Sequence, residues 1–305
     1  MKRVLTIGLF DGVHLGHQAL LTAAHEKASA LGLHAAALTF SGLDRYKDVY
    51  LLTSPEDRVR LITSLSGVRE VITLPFDRDL RRMTAEDFFF DTLIGKMDAE
   101  HIVIGENFTF GSDRAGAEKL MELCDASHVG LSVLSLRTLD GAPVSSSRIR
   151  DALIRGELDK AEALLGHPHL LSGKVIHGRQ VGREIGCPTI NLAYPPVLAP
   201  MPHGVYITTV TLSDGRVFPG ISDLGVHPTF GESEEVWLET HIPGHTVNLY
   251  DETVTVNFRA FLRPEKTFPS PEALRAQIGE DMKTADAYFK AHPGLLLFEE
   301  GDHAE

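Results

Sequence analysis

Thr6-Ile-Gly-Leu-Phe-Asp-Gly-Val-His-Leu-Gly-His17 is the stretch whose reading decides the fold of the first half of this 305-residue chain. It follows an apolar opening, Val4 to Ile7, that reads as a strand. Behind it Leu20, Leu21, Ala24, Ala28 and Leu31 recur at helical spacing. Its glycines and Asp11 therefore sit at a strand-to-helix turn, where free backbone N–H groups and the helix dipole favour an anion. His14 and His17 are three apart and point the same way on the first helical turn. Gly16 between them has no Cβ, so a ligand can approach the backbone closely. Two imidazoles and N–H donors aimed at one point suit a phosphate on which charge develops during transfer.

Working outward, strand-like and helix-like segments alternate to about residue 165. Val4–Gly8, His34–Phe40, Glu70–Leu74, His101–Gly105 and Leu131–Leu136 read as strands. Between them lie helices from His17, from Ser54-Pro55-Glu56-Asp57 (a cap, a first-turn proline and acids at the positive end), from Thr84 to about Met97 and around Ala115–Ser127. Such alternation implies a parallel sheet wrapped by helices, with ligands beyond the carboxyl ends of its strands. Two further stretches are candidates for that crevice. Gly105-Glu-Asn-Phe-Thr-Phe-Gly111, with Arg114 after it, follows a strand. Ser145-Ser-Ser-Arg-Ile-Arg150 opens a helix ending at Gly156, and hydroxyls with Arg at a helix N-terminus are donors for a triphosphate.

Composition narrows the function classes. With 43% apolar and 23% charged residues the chain reads as an ordinary globular protein, long enough for two cores. No apolar run reaches the roughly 18 residues of a membrane helix. No signal-peptide pattern follows Met1-Lys-Arg, and two cysteines, Cys124 and Cys187, cannot build a disulfide framework, so a cytoplasmic setting is expected. A formal charge of −13 argues against broad nucleic-acid binding while leaving room for a small anionic ligand at a locally positive site. No H-E-x-x-H pattern marks a zinc site.

The string G-x-F-D-G-x-H-x-G-H resembles the H-x-G-H signature of the nucleotidyltransferase superfamily in its flavin-adenylylating form. With G-x-N-F-x-F-G and S-S-R-I-R in the same order, the first half resembles the FMN adenylyltransferase module of bacterial bifunctional riboflavin kinase/FAD synthetases. The resemblance implies a Rossmann-like fold that joins FMN to the AMP part of ATP and releases pyrophosphate. It implies that His14 and His17 stabilise the transferring α-phosphate. It further places Gly8, Phe10, Asp11, Gly16, Asn107, Arg114, Ser147 and Arg148 around ATP, with Ser147 and Arg148 closing on the triphosphate. The chain departs from the family after the second strand, where T-F-x-P-H-P is replaced by Thr39-Phe-Ser-Gly-Leu-Asp-Arg45. Leu9 also stands where the family often has a small or polar residue. FAD synthesis poorer than the kinase reaction is the expectation from the Ser41–Arg45 change.

Past a helical connector at Gly156–His169, prolines and glycines become dense. Leu171–His177, Val205–Leu212, Val217–Leu224, Val236–Ile242 and Val254–Leu262 read as strands, with Asp214-Gly215 as a hairpin signal. An antiparallel barrel or sandwich follows. Ser270-Pro-Glu then caps a helix with Leu274, Ile278, Met282, Ala285 and Phe289 as its apolar stripe. In Gly178-Arg-Gln-Val-Gly-Arg-Glu-Ile-Gly-Cys-Pro-Thr-Ile-Asn191, Gly182 and Gly186 flank Arg183 in a loop suited to a polyphosphate. Thr189 and Asn191 offer oxygen ligands for a hard cation such as Mg²⁺.

This loop, Pro188 included, resembles the riboflavin kinase signature G-R-x-x-G-x-P-T-x-N, usually P-T-A-N. Pro228-Thr229-Phe230 and Leu238-Glu-Thr-His241 resemble two further elements of that family. The resemblance implies that Glu239 is the general base on the riboflavin 5′-hydroxyl. Strand alternation puts Trp237, Glu239 and His241 on one face, opposite Leu238. Asp223-Leu-Gly replaces the usual N-I-G, and Pro243–Asp251 keeps Leu249-Tyr250 of D-F-x-x-D-L-Y-G while losing both aspartates and the glycine. Flavin affinity is where that second change bears.

The expected organisation is a Rossmann-like nucleotidyltransferase domain (α/β) over 1–165, an antiparallel β-barrel riboflavin kinase domain with a C-terminal helix over 166–292, and an acidic tail over 293–305. The expected substrates are riboflavin, FMN and ATP, with Mg²⁺, and neither nucleic acid nor membrane as partner. Two other readings stand beside it: a riboflavin kinase with a degenerate first domain, and a non-catalytic flavin- or nucleotide-binding sensor. The presence of Thr189, Asn191 and Glu239 together weighs against the sensor. Oligomeric state is not legible in the sequence.

Overall fold

The computed structural model describes residues 1–42, 50–176, 188–228, 234–243 and 249–296. It divides into two compact units, Met1–Arg148 with Leu164–Gly166, and Ile149–Ala163 with His167–Glu305.

The first unit is built on β1 (Arg3–Ile7), β2 (His34–Ser41), β3 (Glu70–Pro75), β4 (Ala99–Gly105) and β5 (Gly130–Leu134), all parallel in the order β3-β2-β1-β4-β5. Alternation along β1 explains the two-sided burial. Val4 packs with Ala24, Ala28 and Val103 on one face, and Leu5 and Ile7 pack with Leu38, Phe89 and Ile102 on the other. The strand order reverses between β1 and β4, which makes their carboxyl ends the crevice of this sheet.

Helix α1 (Leu15–Leu31) starts at His14 and ends at Gly32, whose φ of 65° is the left-handed stop that glycine allows. Helix α2 (Pro55–Leu65) starts as its sequence predicts, the Ser54 hydroxyl accepting from Asp57 N–H at 3.0 Å. A short α3 (Arg78–Arg82), absent from the sequence reading, follows β3. The segment expected as one helix to Met97 is α4 (Ala85–Asp87) running into a π-helical turn, Phe88–Lys96. Its wider winding shows in the Met97 N–H donating to Thr92, five residues back, at 2.9 Å. Next come α5 (Ala117–Ser127) and the hairpin β6 (Thr138–Leu139)/β7 (Ala142–Pro143), which turns on Asp140-Gly141, both at positive φ. Helices α6 (Ser146–Ile154) and α7 (Leu158–Leu165) complete this stretch of chain.

The second unit is antiparallel: β8 (Leu170–Lys174), β9 (Thr189–Ala193), β10 (Gly204–Thr211), β11 (Val217–Pro228), β12 (Glu234–His241) and β13 (Thr253–Pro264), in the order β8-β13-β10-β11-β12-β9. Just past β8, Ile176 N–H donates to the Asn191 carbonyl on β9 at 3.1 Å, so the two edge strands meet and the sheet becomes a near-closed barrel. The barrel, rather than the sandwich, is therefore the architecture. Helix α8 (Pro271–Ala291) lays Ala285 and Phe289 against Val205, Ile207 and Ile221. No helix among the described residues is long and apolar enough to cross a membrane.

Candidate active sites

At the carboxyl end of β1 the chain makes a tight left-handed passage: φ is 53° at Phe10, 77° at Gly12 and 40° at Val13. A positive φ at a β-branched residue is a strained conformation that the surroundings must hold in place. Those surroundings are visible. Leu52 N–H donates to Asp11 Oδ1 at 2.8 Å, Thr53 N–H to the same oxygen at 3.3 Å, and Gly12 N–H to Thr53 Oγ1 at 3.2 Å. Asp11 is 1% exposed and serves here to pin the 50–53 strand of chain to the turn. Gly8 lies close under the Phe10 ring, where a Cβ would stand 3.2 Å from Cε1 and the ring would have to shift slightly.

His14 caps α1, its Nδ1 accepting the His17 N–H at 3.4 Å. The two imidazoles stack at 3.6 Å between centroids and 17° between planes, and Phe10 meets His17 edge-on at 5.3 Å. Because Nδ1 of His14 accepts, its proton in the neutral form sits on Nε2. Burial, then His14, then Arg58 push His17 well below the ordinary histidine range. Its Nδ1 is buried without a hydrogen-bond partner among the described residues. Gly16 lies against the His14 ring, with a Cβ there 3.2 Å from Cε1.

The α6 start reaches this turn directly: Ser146 Oγ donates to the Asp11 carbonyl at 3.1 Å. Ser147 is exposed beside it. Arg148 Nη1 donates to the carbonyls of Leu139, Ala142 and Pro143 at 3.3, 2.9 and 2.8 Å, which ties it to the β6–β7 hairpin. Asn107, exposed just past β4, leaves its Oδ1 3.3 Å from where a Gly105 Cβ would stand. Arg114 closes the next turn, its N–H donating to Gly111 at 3.1 Å, and is exposed. Beyond β1, β2 and β3 lies an aromatic cavity of about 190 Å³ walled by Phe40, Phe76, Phe88, Phe108 and Phe110, with Arg81 at its edge. The phenylalanines come from four separate segments; Phe108 and Phe110 belong to the Gly105–Gly111 stretch that the sequence marks, whereas nothing local marks Phe76 and Phe88. Of the altered second-strand loop, residues 43–49 lie outside the described residues.

In the barrel, Thr189-Ile-Asn191 is strand β9 rather than the loop its proline and glycines suggest. Its register sets Asn191 opposite Glu239 and Thr189 opposite His241, while β11 sets Asp223 opposite Glu239. Asn191, Glu239 and Asp223 thus form one row across three strands. Thr208, Ser222, Leu238 and Thr240 are buried on the other face, with Thr208–Ser222 and Ser222–Thr240 hydroxyl bonds of 2.8 and 2.7 Å. The expected alternation around Leu238 is what the pleat shows. Thr189, Asp223, Glu239 and His241 line a cavity of about 470 Å³ whose far wall is α8. The Pro188 carbonyl accepts from His241 Nδ1 at 2.9 Å, holding the entry to β9.

Arg263, Glu265 and Asp281 also line this cavity and were not legible as site residues. Arg263 Nε donates to both Asp281 oxygens at 3.0 Å and Nη2 to Oδ2 at 2.7 Å, fastening α8 to the end of β13. The Glu265 carboxylate lies across Gly225, where a Cβ would fall 2.0 Å from Oε1, so a side chain at 225 would displace that carboxylate. Gly182, Arg183 and Gly186, the Thr229-Phe230 pair and the residues 244–248 lie outside the described residues.

Comparison with known proteins bears on both units. The FAD synthetase family profile matches residues 1–148 and the riboflavin kinase profile residues 165–289. The bifunctional riboflavin kinase/FMN adenylyltransferase of Pseudomonas fluorescens is 35% identical over 93% of this chain and 92% of its own length. The chain belongs to that bifunctional family. The Haemophilus influenzae member is 36% identical over 94% of each chain. A solved structure described as a macrolide-efflux protein from Streptococcus pneumoniae superposes on this family member with a TM-score of 0.81 at 30% identity, covering 93% of this chain and 94% of the other.

Proposed function

We propose that this chain is a bifunctional transferase that phosphorylates riboflavin to FMN in its barrel and adenylylates FMN to FAD, releasing pyrophosphate, in its α/β unit. The observation that carries the reading is that strand register alone gathers Asn191, Glu239 and Asp223 into one row, with Glu239, Asp223 and the neighbouring Thr189 lining a 470 Å³ cavity. There Glu239 takes the proton of the riboflavin 5′-hydroxyl as its oxygen attacks the γ-phosphorus of ATP. The bond to the ADP oxygen breaks and ADP leaves. The hydroxyl, amide and carboxylate oxygens at this edge are the donor set a hard divalent cation takes. Thr189 and Asn191 would hold Mg²⁺, which supplies charge neutralisation on the phosphates. Phosphoryl transfer asks little more of the protein than positioning and charge.

In the α/β unit, the His14–His17 pair and the N–H groups of the β1–α1 turn meet the α-phosphate of ATP as an FMN phosphate oxygen attacks it and pyrophosphate departs. Asn107, Ser147 and Arg148 border the same crevice and are assigned to the nucleotide. The aromatic cavity beside it has the planar, apolar walls that a flavin ring requires.

The test is incubation with riboflavin, ATP and Mg²⁺ followed by chromatography of the flavins, on wild type, Glu239→Gln and His17→Ala. Wild type should form FMN and FAD. Glu239→Gln should lose roughly 100-fold or more of FMN formation. His17→Ala should lose about 100- to 1,000-fold of FAD formation with FMN formation kept. Unchanged FMN production by the Glu239 variant removes that residue from the mechanism. FMN without FAD from wild type leaves a kinase whose first unit is degenerate, the reading that the Thr39–Arg45 departure favours.

A further inference from the structure

The row that holds Glu239 does not end at Asp223. Register sets Asp223 opposite Val205 on β10, and Val205 opposite Arg263 on β13. Asn191, Glu239, Asp223, Val205 and Arg263 thus follow one another across five strands, and the last four line the cavity of about 470 Å³. Polarity changes along the row. Asn191, Glu239 and Asp223 carry oxygens, and beyond them the wall turns apolar with Val205, Ile221, and Leu274 and Ile278 of α8. Arg263 at the far end is held by Asp281, Nη2 donating to Oδ2 at 2.7 Å. Asp223 is therefore the last acceptor of the row before the apolar wall begins. Riboflavin has the same order of polarity: a reacting hydroxyl, a polyol chain with secondary hydroxyls, and a largely apolar ring. With the 5′-hydroxyl at Glu239 and the ring against the apolar wall, the polyol passes Asp223. Neighbouring strands lie about 4.7–4.9 Å apart, so a hydroxyl close behind the reacting one meets the Asp223 carboxylate. Carboxylates directly opposite on paired strands repel each other, and hydroxyl donors between them relieve that repulsion.

We propose that Asp223 is a specificity-determining residue of the kinase, its carboxylate accepting a hydrogen bond from a secondary hydroxyl of the ribityl chain beside the 5′-hydroxyl that Glu239 deprotonates. The inference rests on the kinase reading of this cavity and adds what the barrel selects: a flavin carrying a polyol, rather than any flavin with a terminal alcohol. A carboxylate only accepts, and its bonds from O–H groups are short and strong, so an aspartate here rewards a hydroxyl and penalises its absence. Asp223 belongs to the Asp223-Leu-Gly that stands where the family usually has N-I-G, so the negative charge at this place is particular to this chain.

The experiment compares two substrates on the full chain: riboflavin, and the flavin whose ribityl group is replaced by ω-hydroxypentyl, which keeps the reacting hydroxyl and lacks the secondary ones. kcat/KM for phosphorylation is measured with each in wild type, Asp223→Ala and Asp223→Asn, and binding of each flavin without ATP is followed by flavin fluorescence. Wild type should prefer riboflavin by about 10- to 100-fold, the range of one hydrogen bond to a charged group. Asp223→Ala should lose about that factor on riboflavin and nothing on the hydroxypentyl flavin, which no longer leaves a carboxylate unpaired. The preference for the polyol then collapses. An equal loss on both flavins shows a structural residue and overturns the proposal. Equal loss with a raised Mg²⁺ requirement shows a cation ligand and also overturns it, as does a wild type without preference. Should Asp223→Ala not fold, Asp223→Asn decides: its neutral amide oxygen accepts more weakly, so the preference should fall by about threefold or more, and an unchanged preference overturns the proposal. If wild type phosphorylates neither flavin, the kinase reading fails, and the ratio of the two binding constants in wild type and variant decides on Asp223 by the same criterion.

Discussion

Cutting the Arg263–Asp281 pair should loosen the wall of the kinase cavity, and its size can be worked from the contacts. Asp281 is 4% exposed and receives three N–H···O contacts from Arg263 at 3.0, 3.0 and 2.7 Å, plus one from Gln277 Nε2 at 2.9 Å. Removing one partner of a buried pair costs about 3–5 kcal/mol, mostly because the other charge stays buried and alone. Arg263 keeps a bond from Nη1 to the Pro264 carbonyl at 3.1 Å and its side chain is 13% exposed, so the low end applies. Asp281→Ala is therefore expected to destabilise the barrel by about 3 kcal/mol. The double variant Arg263→Met/Asp281→Leu should cost clearly less than the sum of its single changes. Trp237 is the chain's one tryptophan and lies on β12, so its fluorescence during urea unfolding reports the barrel alone. Because α8 contributes Leu274, Ile278 and Asp281 to the cavity, the riboflavin KM should rise in Asp281→Ala. FAD formation at saturating FMN should not move. Additive costs in the double variant would refute the claim that the two charges depend on each other.

Acid should act on the barrel through His169, which is 3% exposed, stacked on Phe258 and pushed by burial down to about 3. Its folded value lies below the unfolded 6.5, so as pH falls through 6.5 the unfolded chain binds a proton that the folded one refuses. Stability is then lost, by about 2 kcal/mol between pH 7 and pH 5. Urea midpoints at the two pH values should show the loss in wild type and a flatter response in His169→Phe. Gly12→Ala forces a φ of 77° on a residue with a Cβ that would stand 2.7 Å from Leu52 Cδ1. A cost of roughly 2–4 kcal/mol is expected, read by thermal melting, with FAD formation hit harder than FMN formation. Asn191→Ala should raise the Mg²⁺ concentration needed for half-maximal FMN formation, and an unchanged requirement removes Asn191 from the cation's ligands.

Local rules set much of this protein from its sequence. Ser54-Pro55, Thr84 with Asp87, Gly32 and Ser270 start or stop helices where short-range hydrogen bonds dictate, and the six-residue neighbourhood contains everything needed. The parallel order of the first sheet follows from the alternation of strands and helices. His14 and His17 do come together, though not on a shared helical turn: His14 is the extended N-cap of α1, and its ring stacks on His17 while its Nδ1 accepts the His17 N–H. Asp140-Gly141 carried the same hairpin signal as Asp214-Gly215 and was open to the same reading. Other features needed distance in sequence to become proximity in space. Period 3.6 does not separate an α-helix from the π-turn at Phe88–Lys96, whose Phe88 and Phe89 are buried in the core. Prolines and glycines hid strand β9, and only the barrel's closure against β8 and β12 makes Thr189-Ile-Asn191 extended. Arg58 stands on a helix whose sequence reads as an ordinary solvated one, and nothing local says that it is buried against the Phe40 carbonyl. Motif residues could be found because their chemistry is local. The groups around them come from other elements, and burial exists only once the chain has packed.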